Sequence, residues 1–250
     1  MATADFDRSE PLPLMGFIAV EVKIHRPAGD PFNEKTWPFP LLREIAPGST
    51  ESQIVTSDKY DSDFIDRFVE TGKKLADRGC VGLLTSCGFL CNAQPELSAR
   101  LPIPIATSSL LQLPSVLSLL PVNKSVGVIT YNGDNLGQKH LESLGIIHYA
   151  PRIQIRGPPA DGPLRKLMVG LGPYIHAQVE AELVEVAVGL LKDYPDIGAF
   201  VLECTQMPPF AEAIQKAVGN IPVYDVYTMA TWFYSGLVRR RPKRWGNIDT

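Results

Sequence analysis

The 250-residue chain carries 24 Lys and Arg against 27 Asp and Glu, a net charge of −3, and its pI is near 5.8. With 45 % hydrophobic and 20 % charged residues it has the composition of a soluble globular protein and not of a disordered one. The mild acidity gives the body no electrostatic reason to bind nucleic acid, and four cysteines are too few for a disulfide scaffold, which points to a reducing, cytoplasmic setting.

Met1 to Pro13 is polar and acidic and lacks the charged-then-apolar layout of a secretory signal. The apolar run Leu14–Val20 is too short to cross a bilayer and reads as a buried strand, so no membrane association is expected. Further apolar runs bounded by Gly, Pro or polar residues predict buried strands at Val81–Thr85, Ile103–Ala106, Val126–Tyr131, Ile197–Leu202 and Ile221–Tyr224. Between them, Asp61–Arg78 places Phe64, Ile65, Phe68, Val69, Leu75 and Ala76 on one helical face, and Ala177–Lys192 does the same with Val184, Ala187, Val188 and Leu191. Pro208 and Pro209 suit the first turn of another helix. Alternation of this kind implies an α/β fold with parallel sheets flanked by helices.

The order of elements repeats. Gly16-Phe17-Ile18-Ala19 and Gly127-Val128-Ile129-Thr130 each open a half; a long helix and a second strand follow, ending in Thr85-Ser86-Cys87 and in Leu202-Glu203-Cys204. Pro104 in Ile-Pro-Ile and Pro222 in Ile-Pro-Val then stand at matching distances beyond the cysteines. The chain therefore reads as two pseudo-symmetric lobes over residues 14–120 and 121–225, with a final helix and basic tail over 226–250. The tail run Arg239–Arg244 holds five basic residues in six and reads as a solvated end, with an anionic surface or a nuclear-targeting role as the alternative.

Cys80, Cys87 and Cys91 have spacings that match no zinc knuckle, and no His-rich stretch follows, so no metal site is expected. Cys80 and Cys91 read as small buried hydrophobes. Cys87 and Cys204 sit at the carboxyl ends of matched strands, where open α/β sheets bind ligands, and each precedes an expected helix start, which would favour its thiolate. Across an interlobe cleft the two sulfurs would approach one carbon from opposite sides. That suits 1,1-proton transfer, in which one thiolate removes the proton α to a carboxylate and the opposite thiol returns one. Gly88, Thr205 and the Thr107-Ser108-Ser109 run are candidate carboxylate binders; the hydroxyls of Ser108 and Ser109 serve equally well as helix caps. Asp225 reads as the cap of the final helix. His140, His148 and His176 read as structural or surface residues, whereas His25 lies in a loop that could reach the site.

The segments Thr85-Ser86-Cys87-Gly88-Phe89 and Leu202-Glu203-Cys204-Thr205-Gln206-Met207-Pro208-Pro209 resemble the two active-site motifs of the aspartate/glutamate/hydantoin racemase superfamily, and the likeness in element order runs from about Met15 to Leu237. The resemblance implies an interlobe site without cofactor or metal, acting on a small-molecule carboxylate. It implies Cys87 and Cys204 as the acid/base pair, Thr205 and the backbone after each cysteine as carboxylate binders, and Glu21 to Asn33 as a substrate-facing loop with Arg26 as the cation for a second acidic group. Phe89 and Gln206, also expected to bind substrate, depart from the glutamate racemase pattern, as do Gly88 and Glu203; these departures speak against free glutamate or aspartate as substrate. The expected function is a racemase or epimerase of an amino acid or related carboxylate. The alternatives are a decarboxylase or isomerase of a dicarboxylic acid, and a two-lobed binding protein without catalysis. Oligomeric state is left open, a homo-oligomer included.

Overall fold

The computed structural model describes residues 11–242. In chain order the strands are β1 (Met15–Ala19), β2 (Leu41–Ile45), β3 (Leu83–Thr85), β4 (Ile105–Ala106), β5 (Ser125–Ile129), β6 (Ile153–Arg156), β7 (Ile197–Leu202) and β8 (Val223–Tyr224). The helices are α1 (Glu51–Ile54), α2 (Ser62–Asp77), α3 (Gln94–Arg100), α4 (Leu113–Leu119), α5 (Gln138–Ser143), α6 (Pro163–Met168), α7 (His176–Asp193), α8 (Ala211–Ala217) and α9 (Val226–Leu237). All strand pairings are parallel, in two sheets of order β2-β1-β3-β4 and β6-β5-β7-β8.

The sequence makes these elements for local reasons. Asp61 accepts a hydrogen bond from the Phe64 N–H at 2.7 Å and so caps α2; Phe64, Ile65, Phe68, Val69 and Leu75 form its buried face; Gly79, at φ 86°, ends it in the left-handed region. The central strands β1, β3 and β5 are buried along their whole length, because helices cover both faces and no position needs to be polar. The edge strands β2 and β6 carry Arg43, Glu44 and Arg156 and stay half-exposed. Edges tolerate charge, and so their sequences lack the apolar run that marks the centre.

The two lobes repeat down to single hydrogen bonds. Ile18 pairs with Thr85 and Ile129 with Leu202. The Leu83 N–H donates to Pro104 O at 2.9 Å, and the Phe200 N–H to Pro222 O at 2.8 Å, which is why an Ile-Pro dipeptide recurs at the same place in each half. One departure from sequential lobes is α9. It leaves the second sheet after Asp225, which caps it through the Thr228 N–H at 2.9 Å. The helix then packs Val226, Met229, Ala230 and Tyr234 against Met15, Phe17, Leu84 and Ala106 of the first sheet. The basic run Arg239–Arg244 extends past the described residues, and Met1–Glu10 precede them. Among the described residues no helix is long and apolar enough to cross a membrane.

Candidate active site

Cys87 stands two residues past the end of β3, and Cys204 two past the end of β7. Both lie beside the point where the strand order of each sheet reverses, between β1 and β3 and between β5 and β7, a position at which open α/β sheets leave a crevice. The lobes bring these two crevices together. The Thr205 hydroxyl donates to Ser86 O at 2.7 Å, the Ser109 hydroxyl to Leu202 O at 2.7 Å, and the Asn135 amide to Val55 O at 2.8 Å, each across the lobe boundary. The result is one cleft of about 390 Å³, its mouth included, whose wall contains Cys87, Gly88 and Phe89 of the first lobe and Glu203, Cys204 and Thr205 of the second.

The residues before the cysteines occupy equivalent places. The Ser86 N–H donates to Ile18 O at 3.2 Å and the Glu203 N–H to Ile129 O at 2.8 Å. Their side chains then accept from equivalent backbone groups: Ser86 Oγ from the Val20 N–H at 2.7 Å, and Glu203 Oε2 from the Tyr131 N–H at 3.2 Å. Glu203 Oε2 also accepts from the Thr130 hydroxyl at 2.7 Å. A serine in one lobe is thus matched by a carboxyl in the other. Glu203 is 1 % exposed, and burial raises its pKa to about 7 against the opposing effect of those two hydrogen bonds.

Burial, and next to it the charge of Glu203, push both Cys87 and Cys204 up from the usual thiol value, while the N–H groups of Phe89 and Gln206 partly offset the rise. The expected thiolate at a helix start is corrected by the structure. Each cysteine leads into a 3₁₀ turn, and α3 and α8 begin seven residues further on, at Gln94 and Ala211, beyond the reach of a helix dipole that acts within its first turn. Cys91 is fully buried, and burial followed by the charge of Glu203 raises its thiol pKa. Cys80 packs at the other end of the sheet, its sulfur close to Gly16. All four cysteines are free thiols.

Among the other expected site residues, Gly88, Phe89 and Thr205 line the cleft, although the Thr205 hydroxyl is spent on Ser86 O. Thr107 and Ser108 do not line it. The Thr107 N–H and hydroxyl both donate to Gln94 Oε1, at 3.0 and 2.8 Å, and Ser108 caps the following turn through the Leu110 N–H at 3.1 Å. Gln206 is buried, and its side chain opposes the burial that raises the Asp30 pKa. Arg26 is also outside the wall: its guanidinium pairs with the fully buried Asp30 at 3.2 Å and stacks over Phe32. Of the loop from Glu21 to Asn33, Val22 reaches the cleft. His25 stacks on Tyr174 with ring centroids 4.7 Å apart, and His140 is buried against Phe89.

The wall residues that went unnoticed in the sequence include Glu203 as a functional group, Glu51 at the start of α1, Ile54 and Val55, Tyr131 after β5, and Met168. Only Glu203 had a signal, as the departure beside Cys204. Among the described residues no group of three or more His, Cys, Asp or Glu side chains is arranged to hold a metal ion.

The duplicated pair of parallel four-stranded sheets is a fold shared with solved structures of two racemases and a decarboxylase. Allantoin racemase from Klebsiella pneumoniae matches with a TM-score of 0.62 at 13 % identity, over 90 % of this chain and 87 % of that one. Unliganded arylmalonate decarboxylase matches with a TM-score of 0.56 at 15 % identity, over 92 % and 96 %. Glutamate racemase from Aquifex pyrophilus matches with a TM-score of 0.54 at 16 % identity, over 90 % and 84 %. In sequence, the chain is similar to a dimethylsulfoniopropionate lyase of Durusdinium sp. clade D, 26 % identical over 228 residues, covering 90 % of this chain and 75 % of that protein. It is similar to dimethylsulfoniopropionate lyase 7 of Emiliania huxleyi (strain CCMP1516) at 26 % identity over 235 residues, covering 90 % and 67 %. No protein-family model matches the sequence.

Proposed function

We propose that the chain is a cofactor-independent carbon-acid enzyme, a racemase or epimerase of an amino acid or related small carboxylate, with Cys87 and Cys204 as its acid/base pair. The observation that carries this reading is the equivalence of the two cysteines: each stands two residues past the matched strand of its lobe, and both line one cleft. The thiolate of one removes the α-proton as the C–H electron pair passes into the carboxylate-stabilised carbanion. The opposite thiol then delivers its proton to the other face, which leaves the two sulfurs with exchanged protonation states. Because burial and Glu203 oppose a resting thiolate, the two thiols and Glu203 titrate as one coupled set. A protonated Glu203 removes the charge that opposes a thiolate, so the reacting form is expected to carry a neutral Glu203.

A lyase is the second reading, favoured by the curated relatives, which are dimethylsulfoniopropionate lyases. The first step is the same. The carbanion then expels a leaving group from the β-carbon with its bonding electrons, so that an alkene forms and one basic thiolate suffices. Among the described residues no basic side chain lines the cleft, and a dicarboxylic substrate for decarboxylation finds no favouring observation.

Incubation of candidate carboxylates in deuterated water tests both. Deuterium entering the α-carbon of both enantiomers, with Cys87→Ala and Cys204→Ala each abolishing it, is the result expected of the racemase. Release of an alkene without racemisation, dependent on one cysteine alone, would replace that reading by the lyase. Retention of proton exchange in both variants would remove the cysteines from the chemistry.

A further inference from the structure

Glu203 is held by one of its carboxyl oxygens. Oε2 accepts from the Thr130 hydroxyl at 2.7 Å and from the Tyr131 N–H at 3.2 Å. Among the described residues no donor reaches Oε1. Nor is Oε1 one of the partnerless polar atoms sealed away from solvent, so it opens on the cleft that Glu203 lines. It stands beside Gly88, the residue after Cys87, where a Cβ would come within 2.3 Å of it. The second lobe's carboxyl oxygen is thereby placed next to the first lobe's cysteine turn.

Each carboxyl oxygen offers about two lone-pair sites, and on Oε2 both are taken by donors. In the neutral acid the proton therefore sits on Oε1 and points into the cleft. Burial raises the Glu203 pKa to about 7, so this form is well populated at neutral pH. The groups around it are no cations. They are the thiols of Cys204 and of Cys87 and Cys91 after β3, and the Tyr60 phenol before α2, all raised by burial and in part by the charge of Glu203. Glu51 and Tyr131 complete the ionisable wall, and no Lys, Arg or His lines it among the described residues. An ionised Glu203 repels an anion in this cleft, whereas the neutral acid donates to it a hydrogen bond that the low dielectric strengthens.

We infer that Glu203 is a further catalytic residue, a neutral carboxylic acid that donates a hydrogen bond from Oε1 to the carboxylate of the substrate. The inference deepens the proposed carbon-acid reading and rests on it for placing that carboxylate beside the cysteines. When a thiolate takes the α-proton, the C–H electron pair moves into the substrate carboxylate. Glu203 keeps its own proton, and its hydrogen bond tightens as negative charge collects on the acceptor oxygen. A buried acid thus does the work of the cation that the wall lacks.

The test is calorimetric titration of the full chain with 2-methylpropanoate between pH 6 and 9, in buffers of different ionisation enthalpy. Exchange of its α-proton regenerates the same molecule, so the heat reports binding alone. In the parent chain the affinity should fall about ten-fold per pH unit above 7, and binding at pH 8 should take up about one proton, which Glu203 must regain. Glu203→Gln puts an amide NH₂ in the place of Oε1 and keeps an acceptor for Thr130 and Tyr131. This variant should bind with an affinity that does not change with pH and without proton uptake. Glu203→Leu should lose the binding seen at pH 6. A parent affinity independent of pH, proton uptake that persists in Glu203→Gln, or no binding at any pH would each overturn the assignment. Failure of the carbon-acid reading registers separately, as absence of cysteine-dependent proton exchange in deuterated water, which this binding does not require.

Discussion

Glu203 and Gly88 approach so closely that a Cβ built on Gly88 would stand 2.3 Å from Glu203 Oε1 and 2.5 Å from the Glu203 carbonyl oxygen. The residue after one cysteine and the residue before the other are thus in contact across the cleft, and the contact admits only glycine. Gly88→Ala should destabilise the fold by about 1–3 kcal/mol, the usual cost of overpacking, read by urea unfolding. Because one clash is with backbone, adding Glu203→Ala should not restore stability. Full restoration by the second substitution would show that the side chain alone sets the spacing.

Glu203 also predicts a pH dependence. Its carboxyl pKa is raised from 4.5 to about 7, so its contribution to stability is fully present below the unfolded value and is lost as pH rises through about 7. The Glu203→Gln variant lacks this titration. Its stability relative to the parent chain should therefore increase by about 3 kcal/mol from acid to mildly alkaline conditions, measured as the difference in urea midpoints. A difference that stays constant with pH would mean that the carboxyl titrates normally.

The same substitution should make the thiols more acidic. Glu203 is the leading charge that raises Cys87 and Cys204, and removing it leaves burial as the main opponent of the thiolate. Alkylation of both cysteines by iodoacetamide at neutral pH should be faster in Glu203→Gln, with the midpoint of the pH–rate profile moved down. An unmoved profile would mean that Glu203 carries no charge near the sulfurs.

His140 has the opposite sign. It is 1 % exposed, and burial holds its pKa down to about 4. Its contribution to stability is full above the ordinary imidazole value of 6.5 and is lost as pH falls through about 4. A His140→Phe variant should gain on the parent chain as pH falls across that window, and urea unfolding at several acidic pH values reads the gain.

Arg26 and Asp30 predict a structural phenotype. The pair is buried, with Asp30 fully so, and the Phe32 N–H donates to the other carboxylate oxygen at 2.7 Å. Arg26→Gln leaves a buried carboxylate short of its cation and should cost about 3 kcal/mol. Asp30→Asn added to it should recover most of that loss. If Arg26→Gln instead raised KM with stability unchanged, Arg26 would have to be reassigned to substrate.

What the sequence determined by itself is what local pattern encodes. Strands buried on both faces must be apolar throughout, so β1, β3, β5 and β7 stand out. The lobe repeat follows from matched strands, Ile-Pro dipeptides and cysteines, and these gave the fold class and the two residues on which the chemistry is proposed. The edge strands β2 and β6 escaped because half-exposed strands carry charges and lose the apolar signature. Only the tertiary structure decided how the cleft is charged. Arg26 is near Cys204 in space yet neutralised by Asp30, four residues away; Thr107 spends its hydroxyl on Gln94 of α3 and Ser108 on the local turn; Glu51 and Tyr131, 80 positions apart, line one wall. A protonation state or a cleft's charge is a sum over groups brought together by folding, and no window of sequence contains that sum. Glu203 shows the boundary: its neighbour Cys204 was plain in the sequence, while its own role depended on Thr130 and the Tyr131 N–H, supplied by a different strand's end.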